Sequence, residues 1–322
     1  LNFFDREPYL SLNGKFQQFR GQGTIITMDH ALTHLKSHSS KQPTFTVIWF
    51  PSPHLPHRET SSNPNLYKGK SHAPYYQEIS LIDEQIGRLR KTLRDLKIAN
   101  NTLLWYTSDN GGLVKEYSGG RERKGSIYEG GLRVPSIIEY PSKFTPSRIA
   151  APASSTDIYP TLLALTKIEI ENQPPVDGIS LLPFLTGEES KRSKPIGFWH
   201  NFTGGQSTRS DSIIKNLMEA QQNGQPNPFP ERVLKNVNDF PKYTANSHQS
   251  GHAALLDWPL KIHAIYSKKK TTWELYDLSR DPMETKLLNE LESKRFFRMQ
   301  KQLTAWQKSV LKSHSGHDFQ NR

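Results

Sequence analysis

The stretch "PYYQEISLIDEQIGRLRKTLRDL", from Pro74 to Leu96, carries apolar residues at Ile79, Ile82, Ile86, Leu89, Leu93 and Leu96. Steps of three and four put these side chains on one stripe, which predicts an amphipathic helix with a single buried face. Two short apolar runs bracket it. "TFTVIWF" (Thr44 to Phe50) is rich in β-branched and aromatic residues and stops at Pro51, and "TLLWYTS" (Thr102 to Ser108) follows the Asn100 and Asn101 pair that ends the helix. Strand, crossover helix, strand is the sequence form of a parallel βαβ unit. Ligands in such sheets gather at the carboxyl ends of the strands, so "PHLPH" after the first run and "DNGG" after the second should open on one edge.

The pattern continues with "VPSIIEY" (Val134 to Tyr140) as a strand and "STDIYPTLLALT" (Ser155 to Thr166) as a helix capped near Ser155 or Thr156. Residues 1–194 therefore read as part of an α/β domain. From about Pro195 the character changes, and residues 195–322 read as a smaller C-terminal α+β subdomain. Within it, residues 204–251 are polar and rich in Asn, Gln and Pro, the mark of a long, partly helical insertion. "AALLDWPLKIHAIYS" and "TTWELYDLS" then alternate as strands of an antiparallel sheet, and Glu284 to Lys312 form a charged amphipathic helix or pair of helices.

Lys and Arg outnumber Asp and Glu by 42 to 31, a formal charge of +11 that favours an anionic partner. No Arg-rich block or nucleic-acid motif points to DNA or RNA. The longest compact apolar run, "FTVIWF", is far below the roughly 20 residues a membrane-spanning helix needs. The 322 residues contain no cysteine, which excludes disulfides, zinc–thiolate sites and a cysteine nucleophile within this chain.

Asp109 and Asn110 each offer a side-chain oxygen, the hard donor type that suits calcium or magnesium, and the glycines after them permit a sharp turn. The same tripeptide also serves as an ordinary turn. Lys124, in "RERKGSIYEGGLRVP", supplies a fixed positive charge that could hold an oxyanion beside a metal; a solvated surface lysine is the plainer alternative. His54 and His57 in "SPHLPH" could donate to an anion or act as a general acid, or simply pack in a loop.

Taken in order, "VIWFPSPHLPH", "YYQEISLIDEQIGRLRKTL", "LLWYTSDNGG", "RERKGSIYEGGLRVPSIIEYP", "STDIYPTLLAL", "VDGISLLPFLTG" and "WELYDLSRDPMET" resemble the formylglycine-dependent (type I) sulfatases of the alkaline phosphatase superfamily. The resemblance implies an α/β, alkaline-phosphatase-like sheet flanked by helices. It also implies a sulfuric ester hydrolase acting on a sulfated carbohydrate or aryl sulfate ester. Asp109 and Asn110 would be calcium ligands, Lys124 would bind the sulfate and its bridging oxygen, and His54 would contact sulfate or assist the leaving alcohol. Arg121 adds charge beside that anion pocket, and His252 could contact sugar.

The family's Cys/Ser-x-Pro-x-Arg nucleophile motif, its upstream acidic pair and its lysine–histidine segment are not found in the 322 residues. The chain thus resembles the C-terminal portion of a sulfatase. The expectation is that the nucleophile lies in a missing N-terminal half and that the isolated chain is inactive. Family resemblance also implies a periplasmic, extracellular or lysosomal setting. A phosphodiesterase or phosphonate monoester hydrolase of the same superfamily, and a catalytically dead protein that binds sulfated glycans, are the alternatives.

Overall fold

The computed structural model describes residues 8–37, 42–57, 65–200, 210–230, 248–267 and 270–319. The chain divides into two compact units, one from Leu1–Thr102 with Gln206–Val233, the other from Leu103–Gly205 with Leu234–Arg322. No described helix is long and apolar enough to cross a membrane.

In the first unit, β1 (Tyr9–Leu12) and β2 (Lys15–Gln18) form a hairpin. Helix α1 (Gly23–Ser37) packs on α2 (Ala73–Asp95), the helix expected from periodicity. The buried face of α2 is rotated from the apolar stripe. Leu81, Ile82, Leu89 and Leu93 are buried together with Gln77, Glu78 and Gln85, while Ile79 and Leu96 are exposed. Partnered polar groups can be buried at little cost. The Gln77 amide donates to the Leu66 carbonyl at 3.2 Å, and the Gln85 side-chain oxygen accepts from Arg88 at 2.6 Å.

Residues 44–50, expected as a buried strand, are not in a strand. Phe45 is 75% exposed and Trp49 84%. A strand exists only where a neighbour completes its ladder, and among the described residues none does so here. In the part of the predicted insertion that is described, helix α6 (Ser210–Gln222) meets the hairpin. The Gln221 amide accepts from the Phe16 N–H at 2.8 Å and donates to the Gly14 carbonyl at 2.7 Å. Residues 204–209 and 231–247 lie outside the described residues.

The second unit contains β3 (Leu104–Thr107), short α3 (Glu129–Leu132), β4 (Ser136–Glu139), α4 (Ile158–Thr166), α5 (Leu182–Leu185), β5 (Ile196–His200), β6 (His252–Asp257), β7 (Leu260–Ser267), β8 (Lys270–Asp277) and α7 (Ser293–His314). β3 pairs with β4 in antiparallel register, Leu104 opposite Glu139 and Thr107 opposite Ser136. The parallel βαβ unit read from the sequence is therefore not formed among the described strands. Periodicity marks a strand but not its partner.

The sheet β5–β6–β7–β8 is antiparallel throughout, as the alternation of its strands predicts. One face, with Ala253, Leu255, Leu260, Ile262, Ala264 and Leu275, is closed by Met299 and Leu303 of α7. The single long helix α7 replaces the expected helix or pair from Glu284. Intervening strand positions such as Lys261, His263, Glu274 and Tyr276 point to the opposite face.

Candidate functional site

β3 delivers the Asp109–Asn110 turn. The Ser108 hydroxyl bonds the Asn110 carbonyl at 3.1 Å, and the Asn110 side-chain NH₂ donates to the Gly111 carbonyl at 3.0 Å. Among the described residues, that leaves the Asn110 side-chain oxygen and the exposed Asp109 carboxylate without a hydrogen bond or ion pair. Both are hard oxygen donors, so the chemical character of the turn fits calcium. The number of donors does not complete a site: calcium takes about six to eight oxygens, and no group of three or more His, Asp or Glu with metal-binding geometry occurs among the described residues.

The lysine-bearing loop is fastened to this turn through its backbone. The Lys124 N–H donates to the Gly112 carbonyl at 3.0 Å and the Gly111 N–H to the Gly131 carbonyl at 2.9 Å. The glycines serve this junction. A Cβ on Gly111 would stand 2.1 Å from the Gly130 carbonyl oxygen, and one on Gly131 would stand 2.0 Å from that of Ser126. Close approach of backbone to backbone is their requirement here, beyond the sharp turn suggested by the sequence. The Lys124 ammonium has no ion-pair partner among the described residues.

His54 lies in the first unit. Its Nδ1 sits 2.8 Å from the Leu55 carbonyl and donates to it. The Nε2 of His57 is 3.0 Å from the Pro53 carbonyl, and burial holds its pKa below the usual value.

Arg121 and His252 both lie in a polar network on the β5–β8 sheet. The Arg121 guanidinium Nη1 donates to Glu274 at 3.2 Å, to the Tyr276 hydroxyl at 3.0 Å and to the Glu284 carbonyl at 3.1 Å, and the group lies 3.9 Å over the Tyr128 ring. It is committed to holding the loop on the sheet. The His252 Nε2 is 3.0 Å from the His263 Nδ1, and the His263 Nε2 is 2.8 Å from Glu284 Oε1. Burial, then the neighbouring His263, pushes the His252 pKa down to about 3, and burial, then Lys261, holds His263 well below its ordinary value. Two neutral rings satisfy the geometry, His252 donating to His263 and His263 donating to Glu284.

The centre of this network is Lys261, whose side chain is fully buried on β7. Its ammonium bonds Glu129 Oε1 at 2.7 Å and Glu284 Oε1 at 3.1 Å. Glu284 Oε2 accepts the Glu129 N–H at 2.7 Å, at the start of α3. Tyr128 donates to Glu274 at 2.7 Å, and burial followed by that carboxylate raises its pKa; the same causes push Tyr276 up to about 12. The sheet thus grips α3, α3 abuts Gly111, and Gly111 and Gly112 carry both the acid–amide turn and the Lys124 backbone bond.

Residues 3–168, just over half of the chain, match the family model described as Sulfatase. The chain belongs to the sulfatase family. Among the sulfatases it resembles are a sulfatase of Formosa agariphila, 28% identical over 86% of this chain and 49% of that protein, and mouse steryl-sulfatase, 30% identical over 49% of this chain and 29% of that protein. Pig N-acetylgalactosamine-6-sulfatase is 30% identical over 56% of this chain and 35% of that protein. The chain spans about half or less of the length of these relatives. The solved structure of Ps i-CgsB in complex with k-i-k-neocarrahexaose superposes with a TM-score of 0.70 at 20% identity, covering 98% of this chain and 63% of that one. This likeness shows the α/β, alkaline-phosphatase-like fold.

Sequence reasoning singled out the turn and the lysine of this sulfatase but missed Glu129, Lys261, His263, Glu274 and Glu284. A signal was present. β7 and β8 place Lys261 and His263 beside Tyr276 and Glu274 in register, a face of opposed charges rather than the scattered polarity of a solvated one.

Proposed function

We propose that the complete protein is a sulfuric ester hydrolase that removes sulfate from a sulfated carbohydrate. The observation that carries this is the backbone junction of Gly111 with Gly131 and Gly112 with Lys124. In a chain of the sulfatase family, it ties the backbone of the Lys124 loop to that of the oxygen-donor turn, and Lys124 has no ion-pair partner among the described residues. The carbohydrate is favoured over a small aryl or steryl sulfate by the +11 charge and by the relative named for N-acetylgalactosamine.

In this reading Lys124 holds the sulfate oxygens and the bridging oxygen, spreading the charge that grows as the ester bond breaks. His54 assists the departing alcohol as an acid. Asp109 and Asn110 would hold a calcium ion with two of its oxygens, and the ion would supply charge withdrawal from the sulfate. Arg121 and His252 act one step back, holding the loop and sheet together. A formylglycine hydrate, for which these 322 residues hold no Cys/Ser-x-Pro-x-Arg motif, would supply the attacking oxygen, and the protein works in an exported compartment, periplasmic, extracellular or lysosomal.

The test is release of 4-nitrophenol from its sulfate monoester and from a bis-4-nitrophenyl phosphate diester by the complete protein. The expected result is preference for the sulfate and a loss of about 10²–10³ in kcat for Lys124→Ala. A faster diester reaction would transfer the protein to the phosphodiesterase reading. No turnover of either, with salt-sensitive retention on sulfated polymers, would make it a binding protein.

A further inference from the structure

Helix α7, "SKRFFRMQKQLTAWQKSVLKSH", contains six lysines and arginines and no acidic residue. Lys294, Arg298, Lys301, Lys308 and Lys312 follow the steps i, i+4, i+7, i+14 and i+18, which keep them on one stripe, with exposed Ala305 filling the i+11 position. All five cations are exposed, and the opposite side of the helix, with Met299, Leu303 and Gln307, is buried. At 1.5 Å per residue the stripe runs about 27 Å. Arg298 meets Asp257 at 3.5 Å, whereas the four lysines have no ion-pair partner among the described residues. Like charges three and four residues apart repel along a helix, so a stripe of one sign opposes helix stability unless an anion lies along it.

A groove of about 360 Å³ adjoins the middle of the stripe, walled by Trp273 of β8 and by Gln300, Lys301, Thr304 and Lys308. An indole, an amide, a hydroxyl and two ammonium groups are the chemistry that takes one sulfated sugar ring: the indole lies against its C–H bonds and the polar groups bond its hydroxyls and sulfate. We propose that this stripe and groove form a docking surface for a sulfated polysaccharide chain, built on the opposite face of the β5–β8 sheet from the Arg121–Glu284 network. The choice of a sulfated glycan among polyanions rests on the sulfatase reading. A lipid surface fits poorly, because the apolar side of α7 is spent on the sheet.

The test is the affinity of the 322-residue chain for heparin, with uncharged dextran as the blank, measured over a range of salt concentrations. Replacing Lys301, Lys308 and Lys312 together by Gln should weaken binding at least about tenfold and flatten the salt dependence by about two log–log units. Ala305→Glu, which sets one anion in the stripe, should weaken it in the same direction. A control triple, Lys36, Lys68 and Lys70 to Gln, removes equal net charge elsewhere and should bind as the parent does. Equal loss in both triples would overturn the proposal, leaving only bulk charge. Tighter retention of single-stranded RNA or of phosphatidylserine vesicles than of heparin would overturn the assignment of the partner. Failure of the complete protein to release sulfate from any ester, with the stripe still required for heparin, would instead count against the catalytic reading alone and uphold the docking surface.

Discussion

Glu284 shows how much one side chain can carry. Its carboxylate is fully buried and faces the Lys261 ammonium, the His263 ring and the Glu129 N–H at the same time. Glu284→Gln would leave Lys261 buried with Glu129 as its remaining carboxylate and would put an NH₂ against a donor. Breaking a buried ion pair from one side costs about 3–5 kcal/mol, and denaturant unfolding should show a loss of this size. The histidines add a pH dependence. His252 faces Tyr128, His263, Lys261, Glu274 and Glu284, and both rings are held neutral in the fold with pKa values lowered from 6.5. Their contribution to stability is fully present above pH 6.5 and is lost as pH falls toward 3, because the unfolded chain takes up protons first. Unfolding midpoints measured from pH 7.5 down to 4.5 should decline, and His252→Asn should decline less steeply. A decline of the same slope in that variant would remove His252 from the account.

At the scale of elements, the signature "VDGISLLPFLTG" has a structural explanation. The carboxylate of Asp157, just before α4, accepts the N–H groups of Ser154 and Ile179 at 2.8 Å each, while Arg192 pairs with it at 2.7 and 2.9 Å. Both side chains of the pair are almost wholly buried. Arg192→Leu should therefore destabilise the second unit by about 3–5 kcal/mol, read by chemical denaturation, with α4 and the α5 segment losing amide-exchange protection together. Elements of this kind were legible because capping residues, apolar spacing and alternation are local; Ser154 caps the 3₁₀ turn Ser155–Asp157 that leads into α4, one residue before the cap first expected. Pairing is not local, which is why residues 44–50 read as a strand and β3 as a parallel one. The charged network was hidden for a related reason. In "PLKIHAIYS" the alternation assigns Leu260, Ile262 and Ala264 to a core and leaves Lys261 and His263 for solvent, and only the arrival of Tyr128 and Glu129 on that face makes them interior.

Over the whole molecule, His54 belongs to one compact unit and Asp109, Asn110 and Lys124 to the other, and the 322 residues do not contain the family's nucleophile motif. The Asp109–Asn110 turn is shaped by its own hydrogen bonds and by Gly111, so it should keep its form in the chain by itself. Two oxygen donors against the six to eight that calcium takes make a weak site, and no described acidic cluster adds to it. Calorimetric titration of the 322-residue chain should accordingly show calcium binding only at high concentration, abolished by Asp109→Ala, whereas Lys124→Ala should leave it intact or strengthen it by removing a nearby positive charge. The same preparation should release no sulfate from 4-nitrophenyl sulfate, because the roles proposed for Lys124 and His54 stabilise a departing group and supply no attacking oxygen. Turnover by this chain alone would mean that a nucleophile lies within the 322 residues. The hydroxyls of the turn and of the lysine loop, Ser108 and Ser126, would then be candidates, each read by loss of turnover on replacement by Ala.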